Sequence, residues 1–215
     1  MLDLFRNAYA DPQAEVERAL AEGRRPIRTL GHDAPRAQLI AAGFQPIRLV
    51  APRLAATPRA DAIMGQAEMG PRGRRLLEAL IAPARPEVPV LITQADADQP
   101  QIFAALRELV GRFMADPIFH IERESSRQYN AARLAQLDDW LVSLGGTRPT
   151  EEAVAEIGER LNQLRYARCK IGRSAKRCVM TGTDMLQVIG ATAILPLDEC
   201  AAALDALLAE SLPPI

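Results

Sequence analysis

Residues 24–52 read RRPIRTLGHDAPRAQLIAAGFQPIRLVAP, and this stretch decides the fold class. Gly23 starts a break, and Pro26 to Gly31 has the content of a short strand ending in a tight turn. His32-Asp33-Ala34-Pro35 then leads into a helix whose apolar positions are Leu39, Ile40 and Ala42. Proline is sterically easy in a first helical turn, and Gly43 accepts the left-handed cap that ends the helix. Phe44 to Val50 follows as a second strand. A strand, a helix and a strand joined by short links predict a parallel βαβ unit.

The same alternation continues outward. Val88 to Thr93 is a compact apolar run, the mark of a central strand. Asp96 to Asp98 make a polar turn, Gln101 to Met114 carry a helical stripe, and Pro117 to Ile121 predict a fourth strand. The opening, from Met1 to Gly23, reads as one amphipathic helix. Residues 1–124 are therefore expected to form a Rossmann-like α/β domain: a doubly wound, mostly parallel sheet with helices on both faces. Residues 125–177 change character to a long helical pair packed on that domain, divided at Gly145-Gly146, with Thr150 able to cap the second helix. Residues 178–215 predict a short α/β extension, with strands at Val179–Gly182 and Ala193–Pro196 and a helix from Asp198 to Leu208.

Composition narrows the function classes. The chain of 215 residues is 48% hydrophobic and 25% charged, enough to bury a core without disulfides or a structural metal. Lys170 and Lys176 are the only lysines, so the positive charge is carried almost wholly by arginine, whose planar fork suits carboxylates and phosphates. Cys169, Cys178 and Cys200 fit no zinc, ferredoxin or CxxC spacing, and their odd number points to reduced thiols in a reducing, cytoplasmic setting. The beginning lacks the basic start and apolar stretch of a signal peptide, and no window is apolar enough to span a membrane.

Four motifs, in order, carry a family resemblance. The first is the quoted stretch, residues 24–52. The second is VPVLITQADADQPQIFAALREL, residues 88–109, and the third runs from Glu124 to Arg168 and contains ESSRQYNAARLAQLDDWLVSLGGTRPTEEAVAEIGERLNQLR. The fourth is KRCVMTGTDM, from Lys176. In this order the chain resembles the 2-hydroxyacyl-CoA dehydratase and benzoyl-CoA reductase family. The resemblance implies two-domain subunits, nearly twice this length, that work as heterodimers. It also implies a [4Fe-4S] cluster held by cysteines at strand ends and electrons supplied by an ATP-hydrolysing activator.

Carried over one by one, the three cysteine ligands fall near Gly31, near Gly70 and at Ala95, so none is a thiolate here. Glycine and alanine supply no ligand for iron. His32, Asp33, Asp96 and Asp98 are nitrogen and oxygen donors nearby, but with two histidines in the chain no metal site is assigned. The glutamate of the family's Pro-x-Glu pattern is replaced by Ala37.

The remaining candidates follow from position and charge. His32 and Asp33 stand just past the first strand, where open sheets bind ligands, and could act as a proton-transfer pair or simply as loop and cap residues. Thr93, Gln94 and Asp96 at the end of the central strand would face the same crevice, and the run Gly70-Pro71-Arg72-Gly73-Arg74-Arg75 could set amides and guanidinium groups against a phosphate or simply carry solvent-facing arginines. Arg160, Arg165, Arg168, Lys170, Arg173, Lys176 and Arg177 form a basic run with no acidic residue, suited to an acidic partner, a small anion or a solvated face. With only Tyr166 nearby as a stacking platform, nucleic acid is not expected.

The leading expectation is a non-catalytic or accessory subunit derived from this family, without its own cluster, joined to a protein partner or a second copy. The alternatives are an enzyme or binding protein for an acyl-CoA thioester with non-redox chemistry, and a dehydratase-type subunit with unusual cluster ligation.

Overall fold

The computed structural model describes residues 1–31, 34–50, 56–65, 69–81, 88–93, 102, 113–115, 124–175 and 180–211. Its sheet grows from the strand read first, β1 (Pro26–Leu30), which is buried along its whole length. β2 (Gln45–Arg48) and β3 (Val90–Ile92) flank it in parallel, and β4 (Phe113–Ala115) adds to the far side of β3, giving the order β2-β1-β3-β4. Arg28 stands opposite Ile47 on one side and Val90 on the other. Gly43, at φ 88°, turns the chain from α3 (Arg36–Ala41) into β2, as its sequence position required.

The expectation of a doubly wound, sheet-dominated α/β fold is corrected by these elements. Helices cover most of the described residues, and the strands are only three to five residues long. Strands so short offer little apolar area, so much of the core lies between helices. Its largest cluster gathers Phe5, Val16, Leu164, Ile171, Val188 and Leu204, with Ile47 as the strand contribution among these. Two smaller clusters cover opposite faces of the sheet, one on Ile27 and Leu91, the other on Leu30, Val90 and Ile92. That division follows the alternation of side chains along a strand.

The helices also depart from the sequence reading. The expected first helix is two, α1 (Leu2–Ala10) and α2 (Pro12–Ala21). Asp11 divides them, its Oδ1 accepting from the Gln13 and Ala14 amides at 3.0 and 3.2 Å with Pro12 in the first turn. α4 (Pro58–Met64) and α5 (Pro71–Ile81) follow β2. The helix expected over 101–114 cannot run to its predicted end, because Phe113–Ala115 is β4; an apolar run this short fits either period. The strand expected over 117–121 lies outside the described residues.

The long helices α6 (Glu124–Ser143) and α7 (Glu151–Ala175) both form, but they flank α3. Leu137 and Leu141 of α6 pack with Leu39 and Phe44, while α7 packs on α3 and on α9 (Leu197–Ser211). The short C-terminal α/β extension is likewise corrected. After residue 180 the chain forms α8 (Gly182–Ala191) and α9, and residues 193–196 are the turn between them. Ile194 and Leu195 are apolar because helices bury them. This turn still serves the sheet: the Arg48 amide on the outer edge of β2 donates to the Ala193 carbonyl at 2.9 Å.

Candidate functional site: an arginine-lined cavity at the end of β2

β2 leaves the sheet at Arg48, and Leu49 remains tied to it by donating its amide to the Thr29 carbonyl at 2.9 Å. Beyond that bond a cavity of about 410 Å³ opens. Arg48, Arg72 and Arg75 line it from β2 and α5, and Leu186, Ile189 and Gly190 line it from α8. Leu186 is 64% exposed and Ile189 41%, so this side of the cavity offers an apolar wall to a ligand. Arg75 contributes a buried Nε without a hydrogen-bond partner. Buried donors of this kind are normally paired, so the site has hydrogen-bonding capacity that the fold itself does not use. The composition fits an anion joined to an apolar body.

The site residues expected from sequence are distributed unevenly around this cavity. Arg72 is exposed and lines it. Thr93 is wholly buried at the end of β3, where its amide and hydroxyl both donate to the Leu30 carbonyl, at 2.9 and 3.1 Å. It binds β3 to β1. His32, Asp33, Gln94 and Asp96 lie outside the described residues. Arg75 belongs to the Gly70–Arg75 run read from sequence as a possible phosphate contact. Arg48 was not singled out; it stands in the quoted Pro-Ile-Arg-Leu run, and its place on the last residue of a strand was the available signal.

The basic run of α7 is not one surface, because a helix turns its residues by about 100° per step. Arg160 pairs with Asp198, and Arg168 donates to the Thr192 hydroxyl at 3.1 Å, so both face the α8–α9 side. Arg165 and Lys170 are exposed, the former with its guanidinium 6.0 Å from the Tyr166 ring centre. Lys176 and Arg177, and the side chain of Arg173, lie outside the described residues.

The cluster implied by the resemblance does not fit the described part of the site. Gly31 follows β1 directly and Gly70 precedes α5, and neither offers a thiolate. The described cysteines stand elsewhere, Cys169 exposed on α7 and Cys200 wholly buried on α9. Burial pushes the Cys200 thiol up to about 12, so it stays protonated at neutral pH. Among the described residues no group of three or more His, Cys, Asp or Glu side chains is gathered to hold a metal ion.

Residues 33–213 match the family model of the 2-hydroxyglutaryl-CoA dehydratase D-component. The chain belongs to this family. The matched range begins after β1 and takes in α3, β2 to β4, the long helices, α8 and α9, so the dehydratase family pattern extends across the C-terminal helices. No curated protein matches the chain. None of its described helices is long and apolar enough to cross a membrane.

Proposed function

We propose that this dehydratase-family chain binds an acyl-CoA-type thioester in the β2 cavity and acts without electron transfer through a cluster of its own. The observation that carries the reading is the pairing, in one cavity, of Arg48 and Arg75 with the apolar wall of Leu186 and Ile189. The nucleotide phosphates of such a ligand would meet the guanidinium groups, and its aliphatic arm would lie on α8. Neither Arg48 nor Arg75 is held by a carboxylate among the described residues, so a bound phosphate need displace no ion pair there. Arginine matches phosphate through two parallel N–H donors, which gives orientation as well as attraction. Titration calorimetry with a short-chain acyl-CoA tests this: saturable binding, weakened about tenfold or more by Arg48→Met or Arg75→Met, is expected. Folded wild-type protein that takes up no acyl-CoA would remove the reading.

A second reading is an accessory subunit that works beside a cluster-bearing partner in the cytoplasm. Gly31 and Gly70, where the family resemblance places thiolates, favour it. Native mass measurement on anaerobically isolated protein, with iron analysis of the same sample, is the test. Association with an iron-containing protein is expected, and a strictly monomeric species in the native extract would end this reading.

A further inference from the structure

A second cavity, of about 390 Å³, begins at the amino ends of β1 and β2, away from the β2 exit. Arg24, Arg25, Arg36 and Arg160 line it, with Ile40 and Phe44 among its apolar walls. The first turn of α9 enters it through Leu197 and Asp198, so the positive end of a fifteen-residue helix faces the same space.

The four arginines are not equivalent. Arg24 is committed: its Nη1 donates to Gln45 and approaches Glu15 at 3.4 Å, and its Nη2 lies 2.6 Å from Glu22. Arg160 is paired with Asp198. Arg25 is exposed and has no side-chain partner among the described residues. Arg36 is the anomaly. Its Nε, like that of Arg24, is sealed from solvent without a hydrogen-bond partner, but unlike Arg24 it has no carboxylate paired with it among the described residues.

Its electrostatic neighbours make this costly. Burial lowers the Arg36 pKa from the ordinary arginine value, and Arg168 and Arg48 act in the same direction as like charges. Cys200 could offset them only as a thiolate, yet its thiol is pushed up to about 12 by burial and remains neutral. Arginine does not shed its proton in a protein, so the positive charge stays. A donor sealed from solvent without an acceptor is unfavourable, and among the described residues no carboxylate stands as counter-ion to Arg36.

We infer that this cavity is a binding site for a small phosphate monoester, whose dianionic head is held by Arg36 and Arg25 at the start of α9. Two unpaired cations call for two negative charges, which a phosphate monoester brings and a single carboxylate does not. The cavity is larger than a phosphate group needs, and Ile40, Phe44 and Leu197 give the ester's organic part an apolar seat. The site is separate from the β2 cavity, the two sharing no lining residue.

Titration calorimetry at constant ionic strength, with phenyl phosphate, inorganic phosphate and acetate as probes, decides it. Phenyl phosphate is expected to bind saturably and more tightly than inorganic phosphate, with no binding of acetate. Arg36→Met is expected to weaken phenyl phosphate at least tenfold and, in anion-free buffer, to raise the thermal midpoint because the uncompensated charge is gone. Arg75→Met, in the other cavity, should leave phenyl phosphate binding unchanged while weakening acyl-CoA, which separates failure of this site from failure of that one. No saturable phosphate binding by the wild type, unchanged binding in Arg36→Met, or a lowered thermal midpoint in that variant would overturn the inference. Arg25→Ala, at an exposed position that the fold does not use, is expected to weaken phenyl phosphate several-fold; unchanged affinity there would overturn it as well.

Discussion

The ring of Tyr9 lies directly against the backbone of Gly190, joining the first helix of the chain to α8. A Cβ built at position 190 would stand 2.3 Å from both Cδ2 and Cε2 of that ring, far inside van der Waals contact. Gly190→Ala therefore has to push α1 away from α8 or force Tyr9 off its rotamer. Overpacking of this kind costs about 1–3 kcal/mol. Urea unfolding of the purified variant should show a lowered midpoint with an unchanged slope; a midpoint equal to the wild type would mean that α1 does not dock as described.

Gly158 gives the opposite expectation. It sits within α7, and a Cβ built there meets nothing within 4 Å. Glycine in a helix interior costs about 0.5–1 kcal/mol relative to alanine, through the backbone freedom that folding removes. Gly158→Ala should therefore raise stability by about that amount. The pair of variants tests the placement of two helices through opposite signs, and destabilisation by Gly158→Ala would contradict the open surroundings of that residue.

Glu15 anchors the buried polar network beneath the sheet edge. Only 5% exposed, it accepts from Arg18 Nε at 2.7 Å and from Gln45 Nε2 at 2.7 Å, while Arg24 approaches at 3.4 Å. Arg18 also reaches Glu199 on α9, so one carboxylate organises contacts among α2, β2 and the C-terminal helix. Glu15→Ala would take one acceptor from Arg18, which keeps Glu199, and leave Gln45 with an unmet donor, a loss of about 1–3 kcal/mol by the usual cost of an unsatisfied buried group. Glu15→Gln keeps an acceptor for Gln45 and should cost less. Equal losses in the two variants, measured by urea denaturation, would show that the charge of the carboxylate carries the effect and that the volume and the acceptor retained by glutamine do not.

How much of this could be read from the chain depends on how local each signal is. β1, α3 and β2 were legible because strand content, Pro35 and Gly43 punctuate them within a few residues. Thr150 marked the start of α7 in the same way. The Asp11–Pro12 signature was equally local, but the apolar stripe on either side of it read as continuous. The fold class went wrong where apolar content stood for burial under helices, as at Ile194 and Leu195, and where a three-residue strand at Phe113–Ala115 shared its sequence with a helical stripe. The cavities were hidden for a different reason. Arg36 is unusual because of Cys200, Arg168 and Arg48, groups brought to it by packing from distant elements. No spacing within the sequence around Arg36 records that its charge is uncompensated.

Asp184 supplies a pH-dependent counterpart to the Tyr9 contact. Its carboxylate closes the capping box of α8 with Thr181 and accepts from Arg6 of α1 at 2.8 Å. The Thr181 hydroxyl first, and Arg6 second, hold its pKa down at about 2, below the ordinary aspartate value. A carboxyl depressed on folding contributes stability that is fully present above its unfolded pKa, about 4, and is lost as pH falls through the folded value. The docking of α1 on α8 should therefore be insensitive to pH near neutrality and weaken between about pH 4 and pH 2. Asp61, held low by Arg74 and then by Thr57, adds to the acid sensitivity of the whole molecule, so the informative quantity is a difference. The stability gap between the wild type and Asp184→Asn, taken from urea midpoints at a series of pH values, should be constant above pH 5 and shrink as the pH approaches 2. A gap that stays constant through that window would mean that the carboxylate carries no interaction that its protonated form lacks, and that the Arg6 contact does not hold α1 in place.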